Sequence, residues 1–353
     1  MIKFTKRAII GQEYAYILRS CRYNTDFIAK CEKLLENIFQ NEVILTNSGT
    51  SALEMAALLL NISNDDEIIV PAFTYPSSAS AFAKLGAKIV FADVTEDTLN
   101  IDPQAVRDLI TSRTKAIVPV HYNGVVCNMA ALQSFDIDII EDNAHGLFQY
   151  SKDYEGYLGT FGRLSATSFH STKNYQCQEG GALFLNYNYD MFRAKCIRDN
   201  GTDRHLLGIV PAYTWVETGS SYMPAEMLAA YLYAQLENRE RIAEKRKKLW
   251  DYYYDNLDFI TLPDRHPSSN HIFYFLVDTV ERDKILKTLN ESNIQATFHY
   301  QPLNKSKMGM TFGEQSCPVA EDVAARIVRL PLYYNLTRKQ QDYIIEVLWK
   351  ALS

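Results

Sequence analysis

Ser168-Phe169-His170-Ser171-Thr172-Lys173-Asn174 runs on through Tyr175-Gln176-Cys177-Gln178 to Glu179-Gly180-Gly181-Ala182-Leu183-Phe184. The apolar run before it, Leu164 to Phe169, and the one after it, Ala182 to Leu185, read as short buried strands. Lys173 then sits in a polar loop at their mouth, where α/β enzymes keep their chemistry. A lysine desolvated beside a phosphate-binding group loses its proton cheaply, and a neutral amine is what a Schiff base with an aldehyde cofactor requires. The plain alternative is a solvated surface lysine, so the other contacts have to come from the rest of the chain.

Upstream, Val43-Ile44-Leu45 leads into Thr46-Asn47-Ser48-Gly49-Thr50-Ser51 and then into Ala52 to Leu60, an apolar and strongly helix-forming segment. Small hydroxyl residues and a glycine just before a helix gather backbone N–H groups and the positive dipole end at one point. That arrangement suits a phosphate, and it also suits an ordinary N-cap. Four further segments read as buried strands: Glu67 to Pro71, Ala87 to Val94, Lys115 to His121 and Asp136 to Asp142. Helical stretches at Ser77 to Leu85, Asp102 to Ile110 and Met129 to Phe135 alternate with them. The βαβ rhythm predicts an α/β fold with a mostly parallel sheet covered by helices on both faces.

In such sheets the ligand lies beyond the carboxyl ends of the strands. Those ends carry Tyr75, which offers a flat face, then His121-Tyr122-Asn123-Gly124, and then Glu141-Asp142-Asn143-Ala144-His145. Asp142 beside a pyridine nitrogen would keep that nitrogen protonated and make the ring an electron sink; as a plain carboxylate it would cap the next turn. His145 could hydrogen-bond a phenolic oxygen or simply pack.

The N-terminal pattern is helical from Glu13 to about Phe39, and a long helix is expected from Tyr222 to about Asn256, its charged stretch a solvated face. Beyond it, His271 to Val277, Gln295 to Tyr300 and Arg326 to Leu332 look like strands, with helices at Asp283 to Ser292 and Thr337 to Leu352. The expected organisation is an N-terminal arm over 1–40, a large domain over 41–221, a linking helix over 222–256 and a smaller α/β domain over 257–353.

Composition narrows the class of partner. A net charge of −6 with no long basic run argues against nucleic acid. Six cysteines without CxxC pairing and seven histidines without ligand spacing point to no metal site and no disulfide framework. No apolar run is long enough to cross a bilayer, and the cytoplasm is the expected compartment.

These segments in order resemble the DegT/StrS nucleotide-sugar aminotransferases, fold-type-I pyridoxal 5'-phosphate (PLP) enzymes. Within the family the chain is most similar to the dTDP-4-amino-4,6-dideoxygalactose transaminases of surface-polysaccharide synthesis. The resemblance is carried by Ser48 to Leu60, Asn100-Ile101-Asp102, Val118 to Tyr122, Glu141-Asp142 and Ser168 to Tyr175. It continues in Tyr213-Thr214-Trp215, Gly219 to Tyr222, Phe298-His299-Tyr300 and Leu330-Pro331-Leu332.

The resemblance implies that Lys173 forms the Schiff base with PLP, that Asp142 pairs with the pyridinium nitrogen and that His145 lies by the ring oxygen. Tyr75 would stack on the ring. Gly49, Thr50 and Ser168 would hold the phosphate, and Ser221 would reach the phosphate of a partner subunit in a homodimer with shared active sites. L-glutamate and a 4-keto-6-deoxy nucleotide sugar are the implied substrates, with pyridoxamine phosphate formed between the two half-reactions. A 3-keto-sugar aminotransferase and a non-catalytic PLP-binding regulator are the alternatives. A sister group that dehydrates the sugar has histidine in place of the lysine, so Lys173 argues for transamination. Three positions depart from the family pattern: the glycine-free loop Cys21 to Asp26, Gln178 where a glycine is common, and Asn304 where a histidine is frequent.

Overall fold

A computed structural model describes residues 1–23, 25–187, 191–206, 209 and 211–352; Asn24, in the glycine-free loop, lies outside the described residues. Helices α1 (Glu13–Arg22) and α2 (Phe27–Phe39) precede strand β1 (Glu42–Thr46). There follow α3 (Gly49–Leu59), β2 (Glu67–Pro71), α4 (Ser77–Ala83), β3 (Lys88–Ala92), α5 (Pro103–Leu109), β4 (Thr114–Ile117), α6 (Met129–Gln133) and β5 (Asp138–Asp142). A small ladder of β6 (Tyr150–Ser151) and β7 (Gly156–Tyr157) leads to β8 (Leu164–Ser168) and β9 (Gly181–Leu185). Seven strands form one sheet in the order β1-β9-β8-β5-β4-β2-β3. Only β9 runs against the others, so the sheet is mostly parallel, as expected from the βαβ rhythm.

Strand alternation divides the core between the two faces. Ile68, Val70 and Ile140 join one apolar cluster with α3 and α4, while Ile69, Ile117 and Ile139 join another with α5 and α6. At the far edge Val43 and Leu45 pack with α2 and with α8 (Glu226–Glu237), which follows α7 (Met191–Arg198). Each fully buried Ile or Val in these strands contributes about 2 kcal/mol.

A separate cluster joins α9 (Arg239–Asn256), β10 (Tyr274–Leu276), α10 (Thr279–Glu291), β11 (Ile327–Arg329), which follows α11 (Pro318–Arg326), and α12 (Arg338–Leu352). The strands expected over 271–277 and 326–332 shorten to β10 and β11. The segment 295–300 is not a strand and meets β11 at a single bridge between Thr297 and Arg329. The expected long helix is two, broken at Asn238, whose side-chain Nδ2 donates to the Ala234 carbonyl and so competes with the helical ladder. The N-terminal helix is likewise two, because Asp26 accepts from the Ala29 N–H and caps a new start at α2.

Glu141 holds the open end of the sheet together. It is fully buried, and its carboxylate accepts from the backbone N–H groups of Gly159 (2.9 Å), Phe161 (2.7 Å) and Gly162 (2.5 Å). His121 Nε2 lies 2.7 Å from it, and the Cys127 N–H donates to His121 Nδ1 at 3.2 Å. Burial and that N–H favour a neutral imidazole, whereas Cys127 and Glu141 favour the charged one. The hydrogen bond decides, since an N–H cannot donate to a protonated nitrogen: His121 is neutral and donates Nε2–H to Glu141. Glu141→Ala would strand four buried donors, and we expect it to destabilise the fold by about 3 kcal/mol. The urea midpoint is the readout, and an unchanged midpoint would refute the bracing role.

Candidate active site

The connection from β8 to β9 folds back on itself. Phe169 N–H donates to the Gly180 carbonyl, Cys177 N–H to the Phe169 carbonyl and Ser171 N–H to the Gln178 carbonyl. Lys173 stands at the tip, its N–H donating to the His170 carbonyl at 2.9 Å. Gln178, at a position where the family commonly has glycine, takes a positive φ of 78° to close the loop. The next residue, Asn174, ties this tip to the C-terminal part of the chain: its Nδ2 donates to the Ser269 carbonyl (2.9 Å) and its Oδ1 faces His271 Nδ1 (2.9 Å).

Beneath the loop lies a cavity of about 400 Å³, lined by Gly49, Thr50, Tyr75, Asp142, His145, Ser168 and Lys173 among others. Seven of the eight residues singled out in the sequence therefore meet in one place. Ser221 is the exception: it is exposed and does not line the cavity, and its carbonyl accepts from Asn47 Nδ2 at 2.9 Å just before α3.

Ser48 caps α3 by accepting from the Ser51 N–H, and the helix opens at Gly49, so the ordinary cap and the free N–H groups coexist. A Cβ on Gly49 would lie 2.9 Å from the Ser168 Cβ, and one on Gly181 would lie 2.4 Å from the Ser48 carbonyl carbon. Two glycines thus let the helix N-terminus approach the β8–β9 turn, leaving an uncharged cradle suited to an anion.

Asp142, at the carboxyl end of β5, is 7% exposed. Ser78 Oγ donates to its Oδ2 at 2.7 Å and the Ala144 N–H donates to its Oδ1 at 3.1 Å, while Thr74 Oγ1 lies 2.9 Å from Ser78 Oγ. Burial, with Lys173 and Arg329 nearby, pushes His145 well below the ordinary histidine range, so it is neutral. Its Nε2 lies 3.3 Å from the Tyr300 hydroxyl, and its ring packs 4.5 Å from that of His271. Arg329, which can only donate, also faces that hydroxyl. The tyrosine proton is then directed at Nε2, leaving His145 Nδ1–H as a buried donor without a partner.

Lys173 keeps part of its surface open to the cavity yet is enclosed by protein. Burial lowers its pKa from 10.5 to about 8; Asp142 opposes the shift and Arg329 adds to it. Sequence reasoning passed over Ser78, His271 and Arg329. Arg329 was read only as part of a strand, and no local signal marks a strand arginine as cavity-lining.

A sequence model of the DegT/DnrJ/EryC1/StrS aminotransferase family matches residues 15–349, and the chain belongs to that family. It is 29% identical over 359 residues to the uncharacterized protein MJ1066 of Methanocaldococcus jannaschii, covering 93% of this chain and 92% of that one. Among solved structures it resembles Spr1654 of Streptococcus pneumoniae, assigned as a sugar aminotransferase, in its PMP form. That match has a TM-score of 0.92 at 25% identity and covers 99% of both chains. PseC of Helicobacter pylori, an aminotransferase involved in pseudoaminic acid biosynthesis, shares the fold at 22% identity and a TM-score of 0.90, over 99% of this chain and 98% of that one. Aminotransferases of this family depend on PLP. The residues here fit that group: an uncharged cradle for a phosphate, a buried carboxylate, an unpartnered imidazole N–H and a lysine of lowered pKa.

Because Lys173 is neutral above about pH 8 and charged below it, its reaction with an amine-directed acylating reagent, followed by mass spectrometry on cofactor-free protein, should show a midpoint near 8. A midpoint in the ordinary range near 10.5 would remove the electrostatic case for Lys173 as the reactive amine.

Proposed function

We propose that this protein transfers the amino group of L-glutamate to a 4-keto-6-deoxy nucleotide sugar, taking dTDP-4-keto-6-deoxyglucose to a dTDP-4-amino-4,6-dideoxyhexose for surface-polysaccharide synthesis in the cytoplasm. The observation that carries this reading is the convergence of Lys173, Asp142 and His145 with the α3 N-terminus in one cavity. The choice of acceptor is supported by the run of motifs from Ser48 to Leu332 that resembles the 4-amino-sugar transaminases.

PLP, when bound, supplies a carbonyl carbon that takes up the amino group and a ring that spreads the charge left by a departing proton. The protein's part is placement and proton movement. The α3 N-terminus at Gly49 and Thr50, with Ser168, holds the phosphate. Asp142, kept in one orientation by Ser78 and the Ala144 N–H, sets a fixed negative charge for the ring nitrogen. His145 Nδ1–H serves the ring oxygen, and Tyr75, exposed at the mouth, covers the ring face. Lys173 Nζ, neutral at mildly alkaline pH, takes the proton from the donor's α-carbon and returns it. Ser221 serves the phosphate in the second subunit of a homodimer.

Incubation of the PLP-loaded enzyme with glutamate and dTDP-4-keto-6-deoxyglucose should yield a 4-amino sugar by NMR and mass spectrometry. Lys173→Ala should fall below about one thousandth of the wild-type rate. An amino group at C3 would sink the 4-keto assignment, and a loaded enzyme inert toward glutamate would sink the catalytic one.

A further inference from the structure

Tyr300 reaches from the C-terminal part of the chain into the cavity wall. It lies in the segment that meets β11 through the bridge between Thr297 and Arg329. Its ring packs edge-on against Phe73 at 6.0 Å and Tyr122 at 6.3 Å between centroids. Its hydroxyl has two polar neighbours: the Arg329 guanidinium donates to it from one side, and His145 Nε2 lies 3.3 Å away on the other. Burial raises the hydroxyl above the ordinary tyrosine pKa, so it keeps its proton.

The protons along this row have one arrangement. Arginine has five N–H donors and no acceptor, so the tyrosine oxygen accepts from Arg329 and its single proton is left for Nε2. A neutral imidazole carries one proton, and with Nε2 accepting it sits on Nδ1. That nitrogen is buried and has no partner among the described residues. The surroundings keep the ring neutral, since burial, Lys173, Arg329 and His299 all oppose a charge on it. Its other neighbours are rings: Tyr122 meets it edge-on at 5.8 Å, and His271, 4.5 Å away, has Nδ1 committed to Asn174.

We propose that Tyr300 is a positioning residue that fixes the tautomer of His145, so that a single N–H, on Nδ1, faces the ring oxygen of PLP. This rests on the reading of the cavity as a PLP aminotransferase site. With the tautomer free, the imidazole would spend part of its time turning a lone pair toward an oxygen that also has only lone pairs to offer. A fixed donor draws negative charge toward itself and away from the nitrogen that joins Lys173 to the cofactor, so that nitrogen releases its proton more easily. Because Tyr300 and Arg329 lie in the C-terminal part and His145 follows β5, the meeting of the two parts sets the protonation of the cofactor site.

The test begins on cofactor-free protein labelled with 15N-histidine, with the His145 signals assigned by their loss in His145→Gln. NMR of the wild-type protein at neutral pH should place the His145 proton on Nδ1. Tyr300→Phe keeps the ring and removes the hydroxyl, and it should shift the tautomer ratio toward Nε2–H by about 5-fold or more. In PLP-loaded protein the pH midpoint of the cofactor's visible band should rise by about 0.5 to 1 unit in Tyr300→Phe. The same substitution in a His145→Gln background should leave the midpoint where His145→Gln alone puts it, because an amide donor has no tautomer to fix. A wild-type proton on Nε2 overturns the proposal whether or not the variant folds, as does an unchanged tautomer ratio in Tyr300→Phe. An equal rise of the midpoint in both backgrounds also overturns it, since Tyr300 would then act without His145. The NMR measurement involves neither amino donor nor sugar, so an enzyme inert toward glutamate would sink the catalytic reading and leave the tautomer result standing, and the reverse also holds.

Discussion

Two adjacent carboxylates at the end of one strand set the terms for the rest of the molecule. Successive side chains of a strand face opposite sides, so Glu141 and Asp142 are forced apart although they are neighbours in sequence. Glu141 points into the scaffold, where the backbone N–H groups of Gly159, Phe161 and Gly162 and the His121 ring use its oxygens. Asp142 points toward α4, where Ser78 binds one oxygen, and it lines the cavity. A register slip of one residue would turn each to the other face, taking Glu141 away from the three loop N–H groups it serves and Asp142 away from the cavity. Cavity lining and structural bracing are thus divided by the pleat of β5.

The cavity is electrostatically one-sided in an informative way. His145 and His271 are pushed well below the ordinary histidine range, and His299 is lowered to about 4, burial being the largest cause in each case. Three rings next to Lys173 and Arg329 are therefore neutral at physiological pH and serve as oriented dipoles. Had any been charged, it would have repelled the neighbouring cations. Asp142 is left as the carboxylate that opposes the lowering of Lys173. The lysine settles between the two influences, at about 8, near enough to neutrality to exchange a proton without a large energetic penalty.

Much of this was legible from the residues. Strand β2 runs over Glu67–Pro71 as expected, because an unbroken apolar run ending at a proline has one reading. Lys173, Asp142 and His145 were visible because each follows a buried strand at its carboxyl end. The misread helices share a cause: apolar periodicity continues across Asp26 and Asn238, while a single polar side chain bonding to nearby backbone ends the ladder. Ser78, His271 and Arg329 escaped because their significance is tertiary. Arg329 reaches the cavity through a segment remote in sequence, and the one bridge from Thr297 that helps place it carries no periodic signal.

The link at Asn174 shows how the two parts of the chain are made to share one site. Its amide is used at both ends, Nδ2 donating to the Ser269 carbonyl and Oδ1 accepting from His271 Nδ1. That fixes the proton of His271 on Nδ1 and the ring's orientation against His145. Ser269 Oγ in turn donates its one proton between the carbonyls of His145 (2.5 Å) and Asn123 (3.0 Å), and Ile272 N–H donates to Asn123 Oδ1 at 2.6 Å. The residue after Lys173 is therefore bonded to the same short stretch, 269–272, that supports the cavity histidine. A displacement of that stretch therefore strains its bonds to the lysine loop, to His145 and to the turn after β4 together. Precision at Lys173 comes from this cross-bracing, because the loop that carries it has no regular secondary structure of its own.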